Sequence, residues 1–498
     1  MAKLRDFVGE LRGGALVVGV KLAASFAVVR AGFVALSDDD YSRVVIAQQF
    51  SLTPSWDPSG TSWLPFPFWL QGSILRAFSP SFELCRGVNI VAAAGALLVL
   101  YLVALQIGLK PRQAALGTTL AGLLPYSLLL GAATPPDGFC AALIAATILS
   151  LRSDKPSALL TGALAALIAS LSRYESWPVA LVFAGVVLWR SVHARQAQLL
   201  VPLALALVGP LGWMLHGALH HNSALFFVTR VTAYQHALGA TLTSGWENAL
   251  RTPLALLRFE PETVLLLLAT LVLGRAHRIA EKSGDFARSP ETAGPARFFG
   301  WGSILAAGAL IVFLMVGDIR SSTATHHAER TLLSLWMLAA LALTHELSRL
   351  WAKLNAPQWM LLAVAFVVGV LARVEGPGFG TLAPRNEERA IGTLARSLVP
   401  TGEQLAIWTT DYGYFAIQAS FARPGTAQIL DRHDPRTPHS NSPVRSANFG
   451  IFDRSLLLAG AREHCLAKEL AANSKFVLAR LAPQPSRSGD TDDPRCWP

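Results

Sequence analysis

The sequence predicts an all-α polytopic membrane protein of about eleven transmembrane helices, followed by a small C-terminal α/β domain. Three observations carry this prediction. Of 498 residues, 52% are hydrophobic and only 15% charged, where a soluble chain carries about 25% charged residues. Mean hydropathy is +0.42. Apolar stretches alternate with short polar loops up to about residue 373, and hydropathy drops beyond it. The net charge of +10 needs no nucleic-acid partner, because anionic headgroups and the positive-inside rule account for it.

The apolar stretches lie near 14–36, 88–108, 114–131, 138–151, 157–171, 178–190, 199–216, 262–274, 298–316, 330–345 and 357–372. Several fall short of the ~20 residues that span a bilayer comfortably, so their ends extend into the neighbouring loops. Lys and Arg are denser in the segments on the N-terminal side, which places the N-terminus in the cytoplasm. With an odd number of spans, the C-terminal domain then lies outside, as expected of a protein of the cell's inner or plasma membrane. Lys21 and Arg30 interrupt the first apolar run, and Leu36-Ser37-Asp38 is not a small-x-small site, so the first span reads as uncleaved. Lys21 either snorkels or faces the bundle interior.

The first outer loop, 37–87, begins acidic and turns rich in Trp, Pro and Ser around Trp56–Leu70. Its prolines preclude one continuous helix, and its aromatics suit short helices along the membrane surface. A second long outer loop, 217–261, follows His216 and contains His220 and His221. The inner stretch 275–297 reads as a flexible connector between two transmembrane halves. In the C-terminal domain, 374–482, Leu405–Trp408 and Lys475–Ala479 read as buried strands, and 454–472 has helical apolar spacing. The polar residues 483–498 read as disordered. Cys85 and Cys140 fall at or inside membrane segments. Cys465 and Cys496 fall in the tail, where a disulfide is permitted if that domain is extracytoplasmic.

The unusual polar motifs fall in loops on one side. Asp38, Asp39 and Asp40 stand where the first span exits, followed by Tyr41. A carboxylate there can act as general base toward an acceptor hydroxyl or amine, or cap the next helix. Asp137 after Pro135-Pro136 is either an N-cap or a polar contact of the site. Arg173-Tyr174-Glu175 occupies a very short loop, where Arg suits a phosphate and equally an ion pair with Glu175. His326-His327-Ala328-Glu329-Arg330 precedes the tenth span, and Arg320 lies just upstream. Trp63 can anchor at the interface, line a lipid groove or stack on a sugar. No motif assigns a cofactor; a divalent metal ion is the one that the Asp38–Asp40 carboxylates, or His327 with Glu329, could hold. No Walker loop or dinucleotide fingerprint is present.

The order of these pieces resembles the GT-C superfamily of polyprenyl-phosphate-dependent glycosyltransferases. The likeness is to glycosyltransferase family 39, the branch of protein mannosyltransferases and lipid A aminoarabinose transferases. Asp38-Asp39-Asp40-Tyr41 is similar to the family's Asp-Glu-x-Tyr, with Asp39 in place of Glu. Pro65-Phe66-Pro67-Phe68-Trp69-Leu70 resembles its Pro-Pro-aromatic segment, Pro136-Asp137 its Pro-Asp, Arg173-Tyr174 its basic-aromatic pair, and Arg330 its late-span Arg. The family's Lys before Pro-Pro has no counterpart, since Ser62 and Leu64 stand near that place; Arg173, Arg320 or Arg330 would substitute.

The resemblance covers residues 1–372 and implies a glycan-building transferase of the cell envelope. A polyprenyl-phosphate-linked sugar would be the donor, and a glycolipid, glycan or protein the acceptor. Arginines at the outer face would hold the lipid phosphate. Asp38 or its neighbours would deprotonate the acceptor, with inversion at the anomeric carbon. Two other readings compete: a transporter or flippase of a lipid-linked or amphipathic substrate, and a non-catalytic platform presenting the C-terminal domain. The clustering of ionisable motifs at one surface, without a visible repeat, ranks both below the transferase.

Overall fold

Helix ends and prolines decide where this chain turns. In a computed structural model the described residues are 2–60, 62–237, 245–282, 298–321, 328–374, 382–408, 412–429, 447–455 and 466–481. Helix α1 (Ala2–Arg30) stops just before Gly32, which sits at φ +98°, a conformation that side chains disfavour. The chain then reaches Ser37, the N-cap of α2 (Asp38–Leu52). Pro67 lies in the first turn of α3 (Phe66–Ala77), where its missing N–H costs nothing. The Ser81 hydroxyl caps α4 (Phe82–Gln106) by accepting from Leu84 N at 3.1 Å.

Prolines open α5 (Pro111–Leu123), α6 (Pro125–Ala132) and α8 (Pro156–Ser170). Pro125 divides one apolar stretch into α5 and α6, which bend by 71°. Lys21 answers the break. Its ammonium donates to the carbonyls of Ser127 (2.7 Å) and Gly122 (3.3 Å), so it faces the bundle interior rather than snorkelling.

Helix α7 (Asp137–Ser150) is buried along its whole length and is the centre of the bundle. Its Ala141, Ala142, Ala145 and Ala146 let neighbouring backbones approach. On α8, a Cβ at Gly162 would stand 2.0 Å from the Ser150 hydroxyl, so this contact requires glycine. Then follow α9 (Ser176–Ala194), α10 (Leu200–His220), α11 (Phe226–Ala237), α12 (Gly245–Phe259), α13 (Pro261–Lys282), α14 (Trp301–Ser321), the single turn α15 (Ala328–Thr331), α16 (Leu333–Leu350) and α17 (Ala356–Val374).

Each apolar stretch named from the sequence thus lies mainly in helix. Among the described residues, six helices are long and apolar enough to cross a membrane alone, or seven with the α5–α6 pair. Helices α7 and α8 are shorter, and α13 and α16 carry Glu and Arg near their ends. Helix α17 turns Val364, Phe366, Val367 and Leu371 outward, an apolar face that suits lipid. These helices make the chain an integral membrane protein. The connector expected from 275 begins later, because α13 runs on to Lys282.

The C-terminal unit pairs α18 (Asn386–Leu398) and α19 (Tyr414–Phe421) with strands β1 (Gln404–Trp408), β2 (Ala427–Ile429), β3 (Ala447–Asp453), β4 (Leu466–Ala472) and β5 (Phe476–Leu481). Strand order is β2-β1-β3-β5-β4; β1 is parallel to β2 and β3, and β5 antiparallel to β3 and β4. The two expected strands are β1 and β5. The helix expected over 454–472 is a correction: 466–472 is edge strand β4. Ala and Leu suit either state, and pairing with β5 decides it. Lys468 and Glu469 on that strand hinder further edge pairing. Residues 431–436, Cys465, Cys496 and 483–498 lie outside the described residues.

This unit is docked on α2. Ala416 and Ala419 of α19 pack with Tyr41 and Val44. The Gln48 side-chain amide donates to Ala419 O at 3.0 Å.

Candidate functional site

The three adjacent aspartates do three different jobs. Asp40 is fully buried. Its carboxylate accepts from the backbone N–H groups of Leu36 (3.1 Å), Ser37 (3.2 Å) and Thr134 (3.2 Å), and from the Thr134 hydroxyl (3.3 Å). It closes the start of α2 and staples it to the 133–135 turn. Burial pushes its carboxyl above the ordinary range, against the pull of Arg330 and of these N–H groups. Both of its oxygens are thus occupied by donors of the chain itself.

Asp38 faces the C-terminal unit. Arg385 grips it with two hydrogen bonds, Nε to Oδ1 at 2.9 Å and Nη2 to Oδ2 at 2.8 Å. Asp39 has its side chain 43% accessible, against 37% for Asp38, and Arg330 Nη1 lies 3.3 Å from its Oδ2. Arg330 also donates through Nη2 to the Ser37 hydroxyl at 2.8 Å, and its Nε has no hydrogen-bond partner.

A second arginine is locked from two sides. Arg173 Nη1 lies 2.8 Å from Asp137 Oδ1, and its Nε donates to Glu175 Oε1 at 2.6 Å. Asp137 is the first residue of fully buried α7, and Arg173 and Glu175 come from the tight turn between α8 and α9. Burial works against the Arg173 charge, but Asp137 and Glu175 outweigh it and hold the guanidinium above its ordinary range. The Arg173–Glu175 pair is thus realised, whereas Asp137 is not the N-cap expected of it: Pro136 holds that position, and the Asp137 carboxylate pairs with Arg173 instead.

Arg43, which the sequence reading missed, joins the two halves. It is 4% exposed, and its Nε and Nη1 have no hydrogen-bond partner. Its guanidinium lies 4.3 Å from the Trp63 ring and 5.8 Å from Phe68, a cation–π arrangement. It interacts electrostatically with Asp39, Asp137, Arg173 and Arg330, and burial pushes its pKa down to about 10. It therefore lies beside the Trp63–Phe68 segment. One signal was available: Asp39 and Arg43 are four residues apart, on the same face of a helix.

The remaining expected residues fall around this cluster or away from it. The Tyr41 hydroxyl donates to Pro384 O at 2.7 Å, and its ring stacks on Phe82, so it joins the domain interface. Tyr174 accepts from Trp213 Nε1 at 3.1 Å and stacks on Phe227 at 4.5 Å. Glu329, beside Arg330 on α15, interacts with Tyr126. His327 and the side chain of Arg320 lie outside the described residues. The turn facing α2 is itself pinned: Asn89 donates to the carbonyls of Ala133 (2.6 Å) and Pro135 (2.7 Å), and Gln71 to Thr134 O (2.9 Å). Four separate segments thus bring Asp39, Arg43, Asp137, Arg173 and Arg330 into one electrostatic unit, able to bind an anion beside a carboxylate.

No family model matches the sequence, and no curated protein matches it. Solved structures do. The crystal structure of ArnT from Cupriavidus metallidurans bound to undecaprenyl phosphate is similar at TM-score 0.52 and 15% identity, over 93% of this chain and 97% of that one. Its apo state gives 0.55 at 13% identity with the same coverage. AglB, an archaeal oligosaccharyltransferase from Archaeoglobus fulgidus in complex with an inhibitory peptide and a dolichol-phosphate, gives 0.46 at 15% identity over 92% and 70%. At such identities the likeness to ArnT concerns the fold, and its coverage runs through both the helical bundle and the C-terminal unit. The chain shares the fold of these ArnT structures, the GT-C-like architecture expected from the sequence.

Proposed function

We propose that this protein is a glycosyltransferase that moves a sugar from a polyprenyl-phosphate donor to an extracytoplasmic acceptor. The carrying observation is the juxtaposition of an accessible carboxylate, Asp39, with two buried guanidinium groups that retain unpaired N–H donors, Arg43 and Arg330. The donor phosphate would accept from Arg43 and Arg330. Asp39 would take the proton of the acceptor hydroxyl or amine as that atom attacks the anomeric carbon. The bond from that carbon to the phosphate oxygen breaks, and its electron pair leaves with the phosphate. The guanidinium groups stabilise this developing charge, and a single displacement inverts the anomeric centre. Arg173 is already neutralised by Asp137 and Glu175, so it holds the floor of the site rather than the lipid. The Lys and Arg distribution supports an outward placement of the site and C-terminal unit.

The test uses purified protein in lipid with a panel of polyprenyl-phosphate-linked sugars and envelope acceptors. Release of free polyprenyl phosphate is the readout. Loss of a positioned general base costs about 10²–10⁴-fold, so Asp39→Asn should lower release by at least about 100-fold at normal expression. Full activity in that variant would sink the assignment. Movement of the lipid-linked sugar across the bilayer without glycosidic cleavage would favour a flippase.

A further inference from the structure

We propose that Asp57, His216 and His221 form a binding site for a divalent transition metal of the zinc class, which ties the first outer loop to the end of α10. This goes beyond the transferase reading and does not rest on it. A ring nitrogen from each histidine and a carboxylate oxygen of Asp57 all lie within 4.8 Å of one another. The set comes from distant sequence: Asp57 from the loop before α3, His216 from the last turns of α10, and His221 just past its end.

Two further observations point to a ligand. The Nε2 atoms of both His216 and His221 are buried without a hydrogen-bond partner, an unfavourable state unless something else binds them. Asp57 is preset by its loop. Its Oδ1 accepts from Gly60 N (3.1 Å) and the Ser59 hydroxyl (3.3 Å), and its Oδ2 lies 3.7 Å from His221 Nε2. Two imidazoles and one carboxylate are the donor types zinc takes, at about 2 Å each, which sets tetrahedral ligands about 3.4 Å apart. The three atoms need to close by little more than about 1 Å, and a fourth position stays open to water.

Arg230 is the competing cation. Its Nη1 lies 3.4 Å from Asp57 Oδ2, and its Nη2 3.5 Å from His221 Nδ1. A metal on His221 Nε2 requires a proton on Nδ1, so metal binding displaces Arg230 from that ring. The metal would thereby brace the wall behind Tyr174, whose ring stacks on Phe227 of α11.

The experiment uses full-length protein in detergent, stripped with chelator and titrated with zinc alone. The expected result is one zinc per chain, with a raised unfolding temperature. Even outer-shell partners of a metal account for 10–100-fold in affinity. Asp57→Asn and His221→Gln should therefore each weaken binding by at least about 100-fold, with metal-free unfolding temperatures near that of the parent. Should His221→Gln fail to fold, Asp57→Asn alone decides. Arg230→Met should bind zinc at least as tightly, and the distant control His193→Gln should bind normally. The proposal is overturned by the absence of stoichiometric zinc in the parent protein. Equal zinc binding in the Asp57→Asn variant, or an unfolding temperature indifferent to zinc, overturns it too.

Discussion

Replacing Arg43 by Met separates a binding role from a structural one, because the two predict opposite pairs of results. In the resting protein Arg43 holds a buried charge whose Nε and Nη1 make no hydrogen bond. Its charge is favoured by Asp39 and Asp137 and by the stack on Trp63 and Phe68, the stack worth about 0.5–2 kcal/mol. Against this stands a desolvation cost of several kcal/mol for one incompletely paired buried ion. Met keeps much of the volume and the apolar contact while removing that cost. Stability should therefore stay level or rise. Binding of a polyprenyl phosphate should fall, because a hydrogen bond to a charged group contributes about 1.5–3 kcal/mol, or roughly 10- to 150-fold in Kd. The assay is equilibrium binding of undecaprenyl phosphate to the purified variant, read beside its unfolding temperature. Unchanged affinity refutes the anion role. A fall in stability of the 3–5 kcal/mol typical of breaking a buried pair would show that Arg43 is a structural partner instead.

Other substitutions test the remaining divisions of labour. Asp40→Ala should strip acceptors from the N–H groups of Leu36, Ser37 and Thr134, at about 1–3 kcal/mol for each left unsatisfied; a large drop in unfolding temperature, with residual activity tracking the folded fraction, is expected. Asp38→Asn should change stability by no more than about 1 kcal/mol, since its pair with Arg385 is partly exposed; hydrogen exchange should quicken at the start of α18, and transferase turnover should stay within a few-fold of the parent. Gly162→Ala should destabilise the bundle by about 1–3 kcal/mol through overpacking against Ser150, measurable by thermal unfolding in detergent.

The bundle was legible because its signal is long and redundant: each apolar stretch named from the sequence lies mainly in helix, and composition alone argued for a membrane protein. Boundaries were less legible where tertiary contact sets them. The stretch 114–131 reads as one span, yet it is broken at Pro125, and the 71° bend and the Lys21 ammonium that satisfies it depend on α1 packing against α5 and α6. The 466–472 segment has Ala and Leu at helical spacing, and only the neighbouring β5 makes it a strand. Of the site, the charged motifs were visible but their partners were not. Locally only the Ser37-x-x-Asp40 capping spacing sets Asp40 apart; Arg385 and Arg330 distinguish Asp38 from Asp39 from far along the chain. Arg43 escaped notice because a single Arg inside a polar helix carries no motif, although its spacing from Asp39 placed both on one face.

The arrangement of charges carries one consequence for the order of events. Arg330 divides its donors between Asp39 and the Ser37 hydroxyl, whereas Arg173 is closed by two carboxylates. An incoming phosphate can accept from the free Nε of Arg330, and a second bond, from Nη1, sets it in competition with Asp39. Donor binding would then release the Asp39 carboxylate to take the acceptor's proton, so the base becomes available only once the leaving group is in place. This coupling makes an unusual demand on one variant. Asp39→Asn removes the competitor while leaving Arg43 and Arg330 intact, so it should bind undecaprenyl phosphate more tightly than the parent even as it loses transfer. The Asp39–Arg330 pair is part-exposed at 3.3 Å and worth about 0–1 kcal/mol, which limits the gain to about fivefold. Salt titration of the binding constant provides a second reading, since screening weakens the exposed competitor more than the buried guanidinium contacts. If Asp39→Asn binds the lipid phosphate more weakly than the parent, Asp39 supports the anion site instead of competing for it, and the proposed sequence of donor first, base second is wrong.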